Sequence, residues 1–176
     1  CSEADVKTKL FALCAAAGLA ASVATAGLTP LQIGLWGSDA QLFPAQTEVL
    51  GLRLNLAMSD NLDVTGLDLG LVGKARRMNA VQVNLGNLVE AEFAGIEAGL
   101  YNRTGSLTGL QAGLFNDVAH DVNGFQFGLF NSADDVNGFQ IGFLNRTVSL
   151  RGIQIGLVNV NEGGPVTFFP FINGAF

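Results

Sequence analysis

The sequence has little of what most catalytic and metal sites need. Its 176 residues include 2 Cys, 1 His, 1 Trp, 1 Tyr and 4 Pro. Cys1 and Cys14 both precede the regular part of the chain, so they build neither a disulfide framework nor a CxxC metal site. The only histidine, His120, lies in a short segment flanked by acids, without a positioned partner for acid–base work. The composition therefore predicts no enzyme, no catalytic residue, no metal site and no cofactor.

Positive charge is also scarce. The chain has 9 Lys and Arg against 15 Asp and Glu, which gives a formal net charge of −6. A nucleic-acid partner is not expected, because phosphate backbones are bound by clustered Lys and Arg. Apolar residues make up 49% of the chain and 23 residues are Gly. This content is too apolar for a disordered chain and is enough for one buried domain.

The N-terminus has the order of a secretory signal peptide. Lys7 and Lys9 precede an apolar run at residues 10–20, and Ala24-Thr25-Ala26 follows with small residues at the cleavage positions. We therefore expect residues 1–26 to be a signal peptide and residues 27–176 to form a single repeat-built β domain. A helix retained in the fold is the alternative for the apolar run, and a lipid-bearing Cys1 is a further alternative for the terminus.

A tandem motif, Gly-φ-Gln-φ-Gly-φ-φ-Asn with φ apolar, fills the rest of the chain. It is clearest at residues 124–131 and again at 138–145. Copies start at Gly51, Gly66, Ala80, Gly95, Gly109, Gly124, Gly138 and Gly152, in steps of 15 or 14 residues, and a degenerate copy lies at residues 31–35. Chains built from copies of one unit stack or pair those copies.

Each unit has the pattern of a β-strand. Phe139, Ile141 and Phe143 alternate with Gly138, Gln140 and Gly142 around residue 140, which is a period of two, and two Gly per unit disfavour helix. Polar turn formers separate the strands. We expect about ten short antiparallel strands, near residues 30–36, 48–57, 63–72, 78–87, 93–102, 107–116, 122–131, 136–145, 150–159 and 166–176.

Two all-β architectures fit this pattern. Loops of four or five residues suit antiparallel neighbours, whereas parallel neighbours need a crossover of about a dozen residues. Closure into an up-and-down barrel would remove the exposed edges of a ten-stranded sheet. The alternative is a β-solenoid in which each unit is one coil, although the second side of such a coil carries one dependable apolar residue, Val122, Val136 or Leu150. The barrel is the favoured prediction.

Alternation divides each strand into an apolar and a polar face. The apolar face holds three residues per unit, such as Phe125, Phe127 and Leu129. The polar face places one row on successive strands, the possible lining of a pore or ligand site: Arg53, Asp68, Gln82, Glu97, Gln111, Gln126, Gln140 and Gln154. Adjacent units would bring Arg53 beside Asp68 and line up the Gln amides. Whether the apolar face meets lipid or a protein core stays open.

Other motifs have simpler explanations than a site. Loop acids such as Asp134 and Asp135 do not match a calcium-binding loop and are typical turn formers. Asn102-Arg103-Thr104 and Asn145-Arg146-Thr147 are glycosylation sequons, but both Asn residues are the repeat Asn. The repeated glycines lack a nucleotide-binding arrangement and are predicted to allow close approach of backbones.

The motif GLQAGLFN at residues 109–116, its copies through Asn159, the opening LQIGLW and the ending PFINGAF together resemble a family of bacterial surface repeat proteins with tandem GxQxGxxN units. The resemblance covers about residues 30–176 and implies an exported protein of the cell surface or outer membrane with no assigned reaction. The expected function is a non-enzymatic structural or binding role, with outer-membrane or other envelope components as possible partners. The alternative is a small β-barrel pore or ligand carrier with a Gln-lined polar face.

Overall fold

The computed structural model describes residues 27–176, so the predicted signal peptide at residues 1–26 lies outside the described residues. The described part is all-β and contains no helix. Its strands, in chain order, are β1 (Leu28–Trp36), β2 (Ala40–Gln41), β3 (Glu48–Ala98), β4 (Tyr101–Ala112), β5 (Phe115–Val118), β6 (Asp121–Ser132), β7 (Asp135–Thr147), β8 (Ser149–Asn161) and β9 (Phe168–Ala175). The 51-residue β3 includes several repeat units.

Successive units pair in parallel and in register. Gly124 lies beside Gly138, which in turn lies beside Gly152, and the same register aligns Asn131 with Asn145. Because each partner is one unit further along the chain, one unit of 14 or 15 residues makes one complete coil. The chain is therefore a parallel β-solenoid, the alternative that the sequence left open.

The predicted antiparallel strands and closed barrel are wrong. That prediction assumed that a loop of four or five residues cannot connect parallel strands. In the solenoid no separate crossover is needed, because the remainder of each coil returns the chain to the same side one step higher. Parallel pairing therefore arises from very short loops, and among the described strands only β2 and β9 pair antiparallel to their neighbours.

The solenoid interior is narrow and is filled by few side chains per coil. An apolar row runs through it: Val49, Val64, Met78, Phe93, Leu107, Val122, Val136 and Leu150, all buried. A second buried row is mixed: Ala75, Val89, Thr104, Val118, Ala133 and Thr147. In the sequence, the single apolar residue on this side of each unit counted against a solenoid. The solenoid nevertheless has a filled interior, because buried Gln and Asn side chains and the second, mixed row occupy the rest of each cross-section.

Glycines allow the coils to stack closely at two points in most units. Gly138 has a φ of +146°, and a Cβ there would collide with the backbone carbonyl of Gly124 in the preceding coil. A Cβ on Gly142 would meet the carbonyl of Gly128 and the amide of Asn131. The predicted role of the repeated Gly residues, close backbone approach, is confirmed at both positions.

Both ends of the stack are covered by antiparallel segments. At the N-terminal end, Gln32 of β1 donates to the Phe43 carbonyl and accepts from the Phe43 amide, at 2.8 and 3.0 Å. At the C-terminal end, β9 pairs with β8, and Asn173 Nδ2 donates to Gln154 Oε1 at 3.0 Å. These segments protect the open edges that a stack of parallel coils would otherwise expose.

Candidate functional site

The predicted polar row lies inside the solenoid. Its eight members, Arg53, Asp68, Gln82, Glu97, Gln111, Gln126, Gln140 and Gln154, are each 0% exposed. Gln32, from the degenerate first copy, is also 0% exposed and extends the row by one coil. The row is thus part of the packed interior, whereas the prediction of a lining required it to face an open barrel lumen.

The upper part of this row is a directional ladder of amide hydrogen bonds. Gln154 Nε2 donates to Gln140 Oε1 at 2.8 Å, and the next two rungs, through Gln126 to Gln111, measure 2.8 and 2.9 Å. Gln111 Nε2 then donates to Glu97 Oε2 at 2.6 Å. Each Gln amide donates a hydrogen bond to the coil below and accepts one from the coil above. The direction of donation therefore ends at the carboxyl group of Glu97.

The lower part converges on Asp68. Arg53 makes a bidentate pair with it at 2.8 and 2.9 Å. Asn55, Gln82 and Asn84 each donate a further hydrogen bond to the same carboxylate, between 2.6 and 2.9 Å. Five donor contacts to two oxygens compensate the removal of this ion pair from water.

The two parts meet at Gln82 and Glu97 with opposed polarity. Gln82 Nε2 donates to Asp68, and Gln82 Oε1 is buried without a hydrogen-bond partner. Glu97 is the next member of the row. Burial raises the pKa of Glu97 to about 7, against the opposing hydrogen bonds from Gln111 and Thr104. A neutral Glu97 has a proton to donate, and Gln82 Oε1, in the neighbouring position of the row, is an acceptor without a donor.

A second ladder, which the sequence did not predict, runs through the repeat Asn residues. Asn102 Nδ2 donates to Asn116 Oδ1, and the pattern continues through Asn131 and Asn145 to Asn159, with every rung at 2.8 Å. The regular recurrence of Asn was the available signal. Asn102 and Asn145, the two sequon residues, are both 0% exposed, so their amides serve this ladder in the folded chain.

The apolar residues of the repeat point outward. The name apolar face is used below for three rows of outward apolar side chains, which lie on the strands that carry the Gln ladder. Its most exposed members include Leu56, Leu71, Val83, Leu85, Ile96, Leu100, Leu114, Phe125, Leu129, Phe143, Ile155 and Leu157, each between 41 and 59% exposed. Phe125 and Phe139 stack across adjacent coils with ring centroids 5.1 Å apart. A continuous exposed apolar surface of this kind marks an interaction site.

The remaining sequence candidates stay dispersed. His120 is an exposed loop residue whose backbone amide bonds the Gly105 carbonyl. Within residues 27–176, no three His, Cys, Asp or Glu residues are grouped to hold a metal ion. That part of the chain also has no helix long and apolar enough to cross a membrane.

The chain is therefore a parallel β-solenoid whose interior holds amide ladders beside an apolar row, and one of whose outer faces is apolar. No protein-family model, curated protein or solved structure matches the chain.

Proposed function

We propose that this chain is an exported, non-enzymatic repeat protein of the bacterial cell surface or outer membrane, with a structural or binding role exercised through its apolar face. The observation that carries the proposal is the outward direction of three apolar residues in nearly every unit. Such exposure is costly in water unless the face is covered in use.

The interior supports a structural role over a chemical one. The polar groups of the described core are used on one another in two ladders and one ion-pair cluster, as the contacts of Gln126 and Asp68 illustrate. The pore or ligand-carrier alternative needs the Gln row to contact solvent or ligand, and the burial of this row disfavours it.

The export part of the proposal follows from the sequence of residues 1–26 and the family resemblance. Cell fractionation with carbonate and detergent washes tests it, combined with protease treatment of intact cells. We expect the protein in the envelope fraction, released by detergent. Recovery in the cytosol, with the N-terminal 26 residues retained, would contradict the proposal.

The role of the apolar face is tested separately with Phe143→Ser and Leu157→Ser. Both residues are about half exposed, at 51 and 49%, so the fold is expected to tolerate the changes. We expect the double variant to lose association made through this face, measured as release from the envelope fraction and as a fall in the mass of the exported protein. Wild-type values of both would remove the apolar face from the proposal.

A further inference from the structure

The middle row of the apolar face changes in size along the solenoid. Its members, in order, are Leu54, Leu69, Val83, Ala98, Ala112, Phe127, Ile141 and Ile155. The two Ala residues lie between large neighbours such as Ile96 and Leu100, so they form a shallow depression. Phe127 and Ile141, in the two coils immediately above, carry large side chains, and we call this pair the ridge.

This order of small and large residues is self-complementary under one symmetry operation. A two-fold axis parallel to the strands, passing between the coils of Ala112 and Phe127, reverses the order of coils and keeps each row opposite itself. Ala112 then faces Phe127 of a second copy, and Ala98 faces Ile141. Each copy places its ridge in the other's depression, which is the property of an isologous interface.

We propose that the apolar face is the dimer interface of this chain, with a second copy packed against it in this antiparallel arrangement. The inference rests on the proposed function only in taking the apolar face as an interaction surface. Two flat β-sheet faces pack about 10 Å apart with their side chains interdigitated.

The available area fits a dimer of two copies. The overlapping strands are those of Leu69, Val83, Ala98, Ala112, Phe127, Ile141 and Ile155, together with β9, which lies opposite the Leu69 strand. Eight strands at about 4.8 Å, each with five residues at about 3.3 Å, give roughly 600 Å² per copy. The total of about 1,200 Å² is at the lower limit of stable, specific interfaces. A lipid surface would gain nothing from the paired depression and ridge, and a net charge of −6 opposes binding to anionic lipids.

The experiment measures the mass of the 176-residue chain by light scattering and sedimentation in detergent-free buffer. The wild type is expected at twice 18.3 kDa. Ala112→Glu buries a carboxylate in the interface and is expected to weaken association by about a hundredfold or more. The matched control is Ala119→Glu, because Ala119 is exposed at a loop of the same coil and outside the apolar face, and this variant stays dimeric.

A size exchange tests the arrangement itself. Ala112→Phe alone fills the depression, so it is expected to weaken dimerisation at least about tenfold through collision with Phe127 of the second copy. Adding Phe127→Ala to Ala112→Phe exchanges depression and ridge, and is expected to restore association to near the wild-type level. Circular dichroism of each variant establishes that the β-structure is retained.

Three results would overturn the dimer. The first is a monomeric wild type at about 100 μM, because an interface of this size is expected to associate at that concentration. The second is a size exchange that does not restore association, and the third is equal weakening by Ala119→Glu. A monomer that binds phosphatidylcholine vesicles, and binds them more tightly with Ala112→Phe, would assign the face to lipid and leave the proposed function standing. A monomer that binds no vesicles and fractionates with the cytosol would remove both.

Discussion

At the scale of single residues, the decisive feature is how buried polar groups are paired. The Gln rungs repeat one geometry in which every amide donates downward, so the ladder has a direction. A carboxylate accepts from both sides and cannot continue that direction. Glu97 therefore interrupts the ladder unless it carries a proton, and the partnerless Gln82 Oε1 marks the place of the interruption.

The raised pKa of Glu97 makes stability depend on pH. A folded pKa of about 7 lies above the ordinary value of 4.5, so the folded state binds the proton more tightly than the unfolded state. The contribution of Glu97 to the free energy of unfolding is complete below about pH 4.5 and is lost as the pH rises to about 7. Near 1.4 kcal/mol per pH unit, the loss approaches about 3 kcal/mol.

Glu97→Gln is expected to abolish this pH dependence. The amide introduced by this change donates to Gln82 Oε1 and accepts from Gln111, so the ladder becomes continuous at every pH. Urea unfolding at pH 5 and pH 8 measures the effect, and the variant should exceed the wild type by about 2 kcal/mol or more at pH 8. Glu92→Gln, an exposed change in the preceding unit, serves as control. An unaltered pH profile in Glu97→Gln would show that Glu97 does not govern it.

At the scale of the element, glycine sets how closely the backbones of successive coils approach one another. Gly138 combines a left-handed φ with a backbone carbonyl in the space of a Cβ. The sequence pattern identified these glycines as architectural, because they recur in most units. It could not reveal that the close neighbour is the preceding coil, since coil contacts exist only after the chain has turned fully round.

Gly138→Ala is expected to destabilise the fold by about 2 kcal/mol or more, through backbone strain and displacement of the neighbouring coil. Gly174→Ala is the matched control, because a Cβ there would lie 3.5 Å from the nearest atom, an ordinary contact. Its cost is expected to stay within about 0.5 kcal/mol. Thermal and urea unfolding compare the two variants. Equal costs at both positions would contradict the close-stacking role of Gly138.

The terminal strands are a second feature of the element scale. Removing residues 165–176 deletes β9 and leaves the last coil with an unpaired parallel edge and Gln154 Oε1 without Asn173. The truncated chain is expected to self-associate through this one open edge, since an open β-edge templates pairing with another chain. Light scattering and electron microscopy detect this. Phe176→Ala, which retains β9, should keep the wild-type mass, and a truncated chain that also keeps it would show that β9 is not a cap.

At the scale of the whole molecule, the arrangement inverts the usual distribution of side chains. Amides and one ion pair fill much of the interior, and leucine, isoleucine and phenylalanine cover an outer face. Hydrogen bonding of the interior groups offsets their burial, because nearly every rung has a partner at 2.6 to 3.0 Å. The apolar outer face is exposed in the part of the chain that the structure describes.

The assignment of one row to the interior and another to the outer face predicts unequal losses of stability when two leucines of β8 are replaced. Leu150 is 8% exposed in the buried apolar row, and Leu157 is 49% exposed on the apolar face. Leu150→Ala is expected to cost about 2–4 kcal/mol, because it leaves a cavity. Leu157→Ala should cost less than about 1 kcal/mol in a monomer. Urea unfolding at low protein concentration measures both, and the reverse order would place the apolar face inside.

The sequence by itself determined the strand character, the length of the repeat and the alignment of equivalent residues. Those properties follow from local alternation and from the fixed spacing of Gly, Gln and Asn, and the contact of Arg53 with Asp68 followed from the same spacing. Only the tertiary structure decided between barrel and solenoid, and which face is inside. Both architectures use identical strands, so the choice depends on how far the chain turns between them and on whether amides can satisfy one another across coils.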